Sequence, residues 1–437
     1  MINRSLQPEI QDLDNLTVPL PRRTTLSNGI PLAIIDAGEQ DVVRMDILFA
    51  GGRWQQAHKL QALFTNRMLR EGSRKYTAAD IAEKLDYYGA WLELSSSSEY
   101  AYITLYSLNK YFAETLEIIE SILKEPTFPE KELNTVLDAN IQQFLVNSSK
   151  VDFLAQRSLL KTLYGPGHPC GRLIEETDYR LVTPDMLREF YNEYYHSDNC
   201  AVFLSGKITD EIIRRVESAF DAPFGNRKHS FIKKEYTIST STEKRIFTEQ
   251  DDALQSAVKL GTVTIPRQHP DYLKLRVLMT LFGGYFGSRL MSNIREDKGY
   301  TYGISAGTMF YPDSGILLIS TETDNEYVEP LIREIYHEID KLHTGTVSEA
   351  ELSMVRNYML GEMCRNYESP FSLADAWMFI YTSGLDDAYF TRSLQAVKEV
   401  TPEEIRELAN RYLCKETLKE VIALSLIHIS EPTRLAL

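Results

Sequence analysis

Cysteines are few in this sequence and widely spaced. The 437 residues include four of them, Cys170, Cys200, Cys364 and Cys414, and no two form a Cys-x-x-Cys pair. This spacing excludes a zinc knuckle and a dithiol redox motif. Isolated cysteines are usually the reduced thiols of a cytoplasmic protein, so we expect a cytoplasmic location.

Long apolar runs and excess positive charge are also lacking. No apolar stretch approaches the roughly 20 residues of a membrane-spanning helix. The opening residues, MINRSLQPEIQDLDNL, lack the apolar core of a signal peptide. The formal net charge of -15 would repel the phosphates of a nucleic acid. We therefore expect neither a membrane nor a nucleic acid as a partner.

The C-terminal residues are excluded from functional inference. Residues 424–434 read LSLIHISEPTR, which is identified as the translation of a transposase adapter used in preparing sequencing libraries. We interpret residues 424–437 as a sequencing-adapter artefact.

What the sequence does contain is a pattern that occurs twice. Residues 111–140 and 327–358 each predict an amphipathic helix, a turn with a threonine, an acidic start, a Glu-Leu pair and a second helix. Residues 71–95 and 286–307 form a looser match in the same order. A repeat of roughly 215 residues predicts an α+β protein of two similar domains, each a mostly antiparallel sheet packed with helices.

The predicted domain boundaries follow from this repeat and from local composition. Residues 226–245, NRKHSFIKKEYTISTSTEKR, have few core-forming residues and many Lys, Ser and Thr, which is typical of a linker. We therefore predict an N-terminal domain over residues 1–225, a linker over 226–245 and a C-terminal domain over 246–423.

The segment LQALFTNRMLREGS, residues 60–73, predicts a helix that Gly72 ends. It follows a strand that closes on paired glycines, VVRMDILFAGG. Its apolar residues recur at helical spacing and predict one buried stripe. This stripe consists of Leu60, Leu63, Phe64 and Met68.

The duplicated layout, this early helix and the segment SRLMSNIREDKGYTYGISAG together resemble the pitrilysin/insulinase family of zinc metallopeptidases, which includes the mitochondrial processing peptidase. The resemblance covers nearly all of residues 20–423. In catalytic members the early helix carries His-x-x-Glu-His, in which two histidines bind zinc and the glutamate activates a water. A later glutamate supplies the third protein ligand.

The family pattern places its catalytic positions on residues that cannot bind zinc. The first histidine falls on Leu63, the glutamate on Asn66, the second histidine on Arg67 and the later glutamate near Asn140. A hydrocarbon offers no lone pair, a guanidinium repels a cation, and an amide is no general base. The resemblance therefore implies no catalytic residue, no metal ligand and no cofactor in this chain, with zinc expected in a partner subunit.

The resemblance also implies a substrate-binding pair, Arg295 and Tyr302. In the family, an arginine and a tyrosine at this spacing reach the zinc domain and hold the substrate backbone. Neither residue binds metal, so both can persist without zinc. The alternative from the residues alone is that Arg295 pairs with Glu296 or Asp297 while Tyr302 packs in a strand.

Two further groups of residues allow more than one interpretation. The glycines Gly283, Gly284 and Gly287 fit either a flexible substrate-contacting loop or ordinary turns. The tyrosines Tyr100, Tyr102 and Tyr106 alternate along one predicted strand. They favour sheet packing over a peptide cleft, although an exposed sheet edge can bind a peptide by strand addition.

Together these observations predict a non-catalytic subunit of a heterodimeric zinc metallopeptidase. It would bind peptide substrate and lend Arg295 and Tyr302 to the active site of a partner that carries His-x-x-Glu-His. One alternative is a structural or scaffolding component with no peptide role. Another is an active metallopeptidase with a displaced zinc site.

Overall fold

A computed structural model describes residues 16–225, 234–251 and 253–424. These residues form strands β1 Arg22–Thr25, β2 Pro31–Asp36, β3 Val42–Phe49, β4 Trp91–Ser96, β5 Ala101–Leu108, β6 Cys200–Gly206, β7 Arg245–Glu249, β8 Gln255–Thr264, β9 Ile304–Phe310, β10 Gly315–Asp324 and β11 Lys419–Leu424. The helices of the first half are α1 Gln61–Arg67, α2 Ala78–Tyr88, α3 Phe112–Lys124, α4 Glu130–Ser148, α5 Val151–Tyr164, α6 Glu176–Tyr179, α7 Pro184–Tyr194 and α8 Asp210–Ala219. Those of the second half are α9 Tyr272–Met279, α10 Val328–Thr344, α11 Glu349–Asn366, α12 Pro370–Thr382, α13 Tyr389–Glu399 and α14 Pro402–Tyr412.

The strands form two sheets with matching topology. The first has the order β1-β2-β6-β3-β5-β4 and the second β7-β11-β8-β10-β9. In each sheet one pair is parallel, β2 with β6 inside the first sheet and β7 with β11 at the edge of the second, and the remaining pairs are antiparallel. Apart from the additional β1, every strand of one sheet has a counterpart in the other. The predicted α+β fold of two duplicated domains is confirmed.

Local sequence signals set several element boundaries. Thr77 caps α2 by accepting a hydrogen bond from the Asp80 backbone, and the Asp80 carboxylate bonds back to the Thr77 backbone. Gly89 ends the same helix at φ 61°, a left-handed conformation that glycine adopts without a Cβ clash. Asn28 accepts a hydrogen bond from the Ile30 backbone at the turn between β1 and β2.

Each sheet packs its own half's helices on one face and a helix from the other half on the opposite face. Helix α5 crosses to the second sheet, where Leu159 packs with Ala257 and Val421. Helix α12 crosses to the first sheet, where Trp377 packs with Phe203. We call the faces that receive these exchanged helices the outer faces. Because each half covers an apolar face of the other, separating the halves would expose both faces.

The predicted linker falls partly outside the described residues, which omit 226–233. From Lys234 onward it is held against the first half. The Lys234 ammonium and the Tyr236 hydroxyl donate to backbone carbonyls in the loop before α1, and Thr240 donates to one near the end of α5. Strand β7 begins at Arg245, inside the predicted linker. Strand β11 ends at Leu424, one residue beyond the predicted domain.

Among residues 16–225, 234–251 and 253–424, no helix combines the length and the apolar character that a membrane crossing requires.

Candidate functional site

The predicted early helix forms, but its apolar stripe is narrower than the sequence suggested. Leu60, Phe64 and Met68 are buried in the core of the first half. Leu63 is only half-buried and packs at the margin of that core. The helix proper ends at Arg67 and tightens into a 3-10 turn over Met68–Glu71 before Gly72. Residues 63 and 67 are one helical turn apart, so Leu63 lies on the same side of α1 as Arg67.

The structure brings together two positions that the family pattern associates with metal binding. Arg67 on α1 donates from Nη1 to Oδ1 of Asn140 on α4. The Asn140 amide nitrogen in turn donates to the carbonyl of Val136, 2.7 Å away and one helical turn earlier. A guanidinium and a carboxamide thus occupy the space between α1 and α4. In catalytic family members the second and third zinc ligands would lie at these two positions.

The position of the catalytic glutamate is also occupied by an amide with a structural contact. Asn66 is fully buried, and its Nδ2 donates to the Tyr102 carbonyl of β5 at 3.2 Å. Burial raises the pKa of the nearby Tyr195 hydroxyl, and Asn66 partly opposes the rise. Asn66 therefore ties α1 to the sheet.

These residues do not fit a zinc ion. The degenerate metal position, which we define as Leu63, Asn66, Arg67 and Asn140, supplies a hydrocarbon, two amides and a fixed positive charge. Zinc sites in proteins use imidazole, thiolate or carboxylate ligands. Within the described part of the chain, no group of three or more His, Cys, Asp or Glu side chains is arranged to hold a metal.

The predicted arginine and tyrosine of the second half lie in direct contact. Arg295 belongs to a π-helical turn, Met291–Asp297, a conformation often found at functional sites. Its Nε donates to the Tyr302 carbonyl at 2.8 Å. Its guanidinium carbon lies 4.7 Å from the ring centre of Phe286 and 5.5 Å from that of Tyr302. The guanidinium is therefore held near two aromatic rings.

The structure gives little support to the alternative interpretation, in which Arg295 pairs with a neighbouring carboxylate and Tyr302 packs in a strand. The Arg295 Nη1 lies 3.8 Å from the Glu296 carboxylate, which is beyond hydrogen-bond distance. Tyr302 is 93% exposed and precedes β9, so it does not pack within a strand. A peptide-binding role for the two residues remains a prediction.

The nearby glycines have packing contacts. A Cβ at Gly283 would lie 2.5 Å from the Ala306 Cβ on β9, so this glycine allows a helical turn to approach the sheet closely. A Cβ at Gly287 would lie 2.9 Å from the Tyr285 ring. The strand contact explains the glycine at position 283, whereas the Tyr285 ring could move away from a side chain at position 287, and a substrate-contacting loop remains a prediction.

A cavity of about 810 Å³ lies between the two halves. Its walls are the outer face of β4 and β5, the end of α12, and the hairpin that joins β9 to β10. Tyr100, Tyr102 and Tyr106 line it, so the expectation that these tyrosines serve sheet packing rather than a cleft was incomplete. The sequence could not show the cavity, because its opposite wall comes from residues more than 200 positions later.

An ion cluster, in which Arg44 and Asp46 are buried and Asp375 is exposed, forms one end of this cavity. Arg44 on β3 donates to Asp46 at 2.9 Å and to Asp375 of α12 at 2.6 Å. Thr104 on β5 donates to Asp46 at 2.7 Å. Burial raises the pKa of Asp46 to about 6, although Arg44 and Thr104 oppose the rise. Sequence reasoning missed the cluster, although two charged residues inside the apolar strand VVRMDILF were a visible signal.

Family models match both halves of the chain. Residues 35–174 match the model described as Insulinase (Peptidase family M16). Residues 181–359 match the model described as Peptidase M16 inactive domain. The two matches lie on either side of residue 180.

Curated relatives and solved structures resemble most of the chain. An uncharacterized zinc protease, YmxG, of Bacillus subtilis is 25% identical over 352 residues, which is 80% of this chain and 85% of the relative. The non-peptidase homolog YmxG of Helicobacter pylori is 25% identical over 350 residues, covering 78% of this chain and 79% of the relative.

Two solved structures share the fold. A peptidase M16 inactive domain from Pseudomonas fluorescens superposes with a TM-score of 0.82 at 22% identity, over 93% of this chain and 98% of that one. A protease from Helicobacter pylori gives 0.84 at 17% identity, over 92% and 100%. The sequence motifs, the duplicated fold and the two family models together show that this chain belongs to the insulinase family, peptidase family M16, and that it lacks the His-x-x-Glu-His motif.

Proposed function

We propose that this chain is the non-catalytic subunit of a heterodimeric zinc metallopeptidase. The observation that carries the proposal is the hydrogen bond from Arg67 to Asn140, which fills the degenerate metal position with groups that cannot bind zinc. The partner would be a homologue that carries His-x-x-Glu-His and the zinc ion. The name of one relative, non-peptidase homolog, supports the non-catalytic part of this proposal.

In the proposed pair, Arg295 and Tyr302 hold the substrate at the partner's active site. Arginine offers paired donors in a fixed geometry to a carbonyl or carboxylate, and a phenol adds one further hydrogen bond. The exposure of Tyr302 and the aromatic support of Arg295 suit such a contact, because both groups are available yet restrained.

The proposed peptide site includes the exposed edge of the first sheet. Strand β4 is the last strand of this sheet and lies beside α1. Its outward backbone groups can pair with an extended peptide, as in other proteins that bind peptides by strand addition. We also infer a cytoplasmic setting, which the four free cysteines support.

The test is reconstitution with the His-x-x-Glu-His homologue encoded in the same genome. The two chains together are expected to cleave an unfolded protein substrate, and Arg295→Ala is expected to lower kcat/KM about 10²-fold because a donor to the reacting carbonyl is lost. Arg333→Ala, an exposed arginine on α10, serves as the matched control and should leave the rate unchanged.

Two results would favour the alternatives. Full activity of the Arg295→Ala pair would indicate a scaffolding subunit without a peptide role. Peptide hydrolysis by this chain alone, with about one zinc per chain, would indicate an active enzyme with a displaced zinc site.

A further inference from the structure

The edge strand β4 carries an exposed tryptophan. Trp91 on β4 is 66% exposed and pairs directly with Tyr106 on β5. Glu93, two residues later on the same face of β4, is exposed and pairs with Thr104. Trp91, Glu93 and Tyr106 therefore form one surface at the margin of the cavity, which we call the edge cluster.

Negative charge collects around the edge cluster. Burial raises the pKa of Tyr106, and the carboxylates of Asp46, Asp375 and Glu93 raise it further, whereas Arg44 lowers it. All three carboxylates line the cavity together with Tyr106. Arg44 is already engaged by Asp46 and Asp375, and it lies 5.4 Å from the Tyr106 ring centre. Among the charged groups that act on Tyr106, Arg44 opposes three carboxylates, while Arg267 lines the same cavity beside Phe310 and Phe379.

The floor of this region contains a carboxylate oxygen without a hydrogen-bond donor. Asp46 lines the cavity and is fully buried. Its Oδ2 receives no hydrogen bond of acceptable geometry, although the Arg44 Nε lies 2.9 Å away in the ion pair. Asp46 is therefore held in its ion pair with Arg44, and the exposed carboxylates of this region are those of Glu93 and Asp375.

We propose that the edge cluster holds a positively charged side chain of a peptide that pairs with β4. An ammonium or guanidinium is attracted to the faces of tryptophan and tyrosine rings and forms charge-assisted hydrogen bonds with carboxylates. A peptide added to β4 places alternate side chains over the outer face, where Trp91 and Glu93 stand. This inference rests on the proposed peptide-binding function and adds a preference for basic residues.

The preference is tested by binding of matched peptides to the full chain. The probe is an unstructured, fluorescein-labelled peptide of about ten residues with one central arginine, and its partner has citrulline at that position. Fluorescence anisotropy is expected to show about three- to tenfold tighter binding of the arginine peptide. Glu93→Gln and Trp91→Ala should each bring this ratio close to one.

Two variants on α2 serve as matched controls. Glu83→Gln removes the same charge at an exposed position, and Tyr87→Ala removes a ring that is 80% exposed. Both should keep the preference for arginine. Loss of the preference in either control would overturn the assignment to the edge cluster.

The remaining outcomes separate this inference from the proposed function. Equal binding of both peptides would overturn the basic preference and leave peptide binding intact. If neither peptide binds, both the preference for basic residues and the proposed peptide-binding function are overturned. Displacement of the arginine peptide by free agmatine at the peptide's own concentration would indicate a small-cation site and would overturn the peptide assignment.

Discussion

The two halves share one topology and differ in what stands on their outer faces. Asp46 on β3 pairs with Thr104, and Lys259 on β8 pairs with Ser320 at the equivalent place in the second sheet. One is an acid and the other a base, yet each is buried. Asp46 reaches the exchanged helix α12 through Arg44, whereas Lys259 bonds directly to Asp152 of α5 at 2.7 Å.

The residues that face the two exchanged helices also differ in size and polarity. Tyr100, which directly precedes β5, and Tyr102 on β5 correspond to Ile316 and Leu318 of β10, counted back from the equivalent strand ends. The aliphatic residues let α5 pack directly on the second sheet. The larger tyrosines carry hydroxyls and border an open space under the end of α12. The duplicated fold is thus preserved while one interface is adapted to a polar cavity.

The largest expected effect comes from weakening either exchanged helix. Trp377→Ala on α12 and Leu159→Ala on α5 remove side chains that are 2% and 0% exposed. We expect losses of about 3–5 and 2–5 kcal/mol in the free energy of unfolding. Because each helix covers the other half's sheet, both variants should unfold in one transition in urea. Separate transitions for the two halves would contradict the account of the exchange.

Removing the basic member of each ion pair should lower the free energy of unfolding by different amounts in the two halves. Arg44→Met leaves Asp46 buried without its cation and is expected to cost about 3 kcal/mol at pH 7. Lys259→Met leaves Asp152, whose side chain is half exposed, and should cost less than about 1 kcal/mol. Urea denaturation of both variants checks the difference, and equal costs would show that burial of the remaining carboxylate does not matter.

A smaller effect should appear in the pH dependence of stability. The pKa of Asp46 rises from 3.8 to about 6 on folding, so the folded state binds this proton more tightly than the unfolded state. The stabilisation is therefore present at low pH and is lost as pH rises from about 4 to about 6, by at most about 3 kcal/mol. Asp46→Asn removes this titration. Denaturation of both proteins across that window should show wild type losing stability relative to the variant, and parallel curves would refute it.

Much of the fold was predictable because its signals are local. Helical periodicity, the Thr77 capping box and the Asn-Gly turn each involve residues a few positions apart. The repeat showed in addition that the same arrangement of elements occurs twice. The exchange of α5 and α12 could not be predicted, because each helix packs on strands of the other half. Leu63 was predicted to be buried because spacing identifies a helix face but not how far its neighbours extend over it.

The candidate site likewise contains contacts that the sequence could predict and contacts that it could not. The resemblance placed Arg67 and Asn140 at neighbouring positions, and their hydrogen bond matches that alignment. The contact between Arg295 and Tyr302 spans seven residues and was accessible from the sequence. The cavity and its ion cluster depend on Asp375, which is 329 positions after Asp46 in the chain. Single-sequence patterns carry no information about such a pairing.

The most direct test of the central claim is the metal content and peptidase activity of the purified chain. After addition of zinc and gel filtration, elemental analysis is expected to find no stoichiometric zinc, and an unfolded protein substrate is expected to remain intact. About one zinc per chain, together with cleavage that a chelator abolishes, would contradict the account.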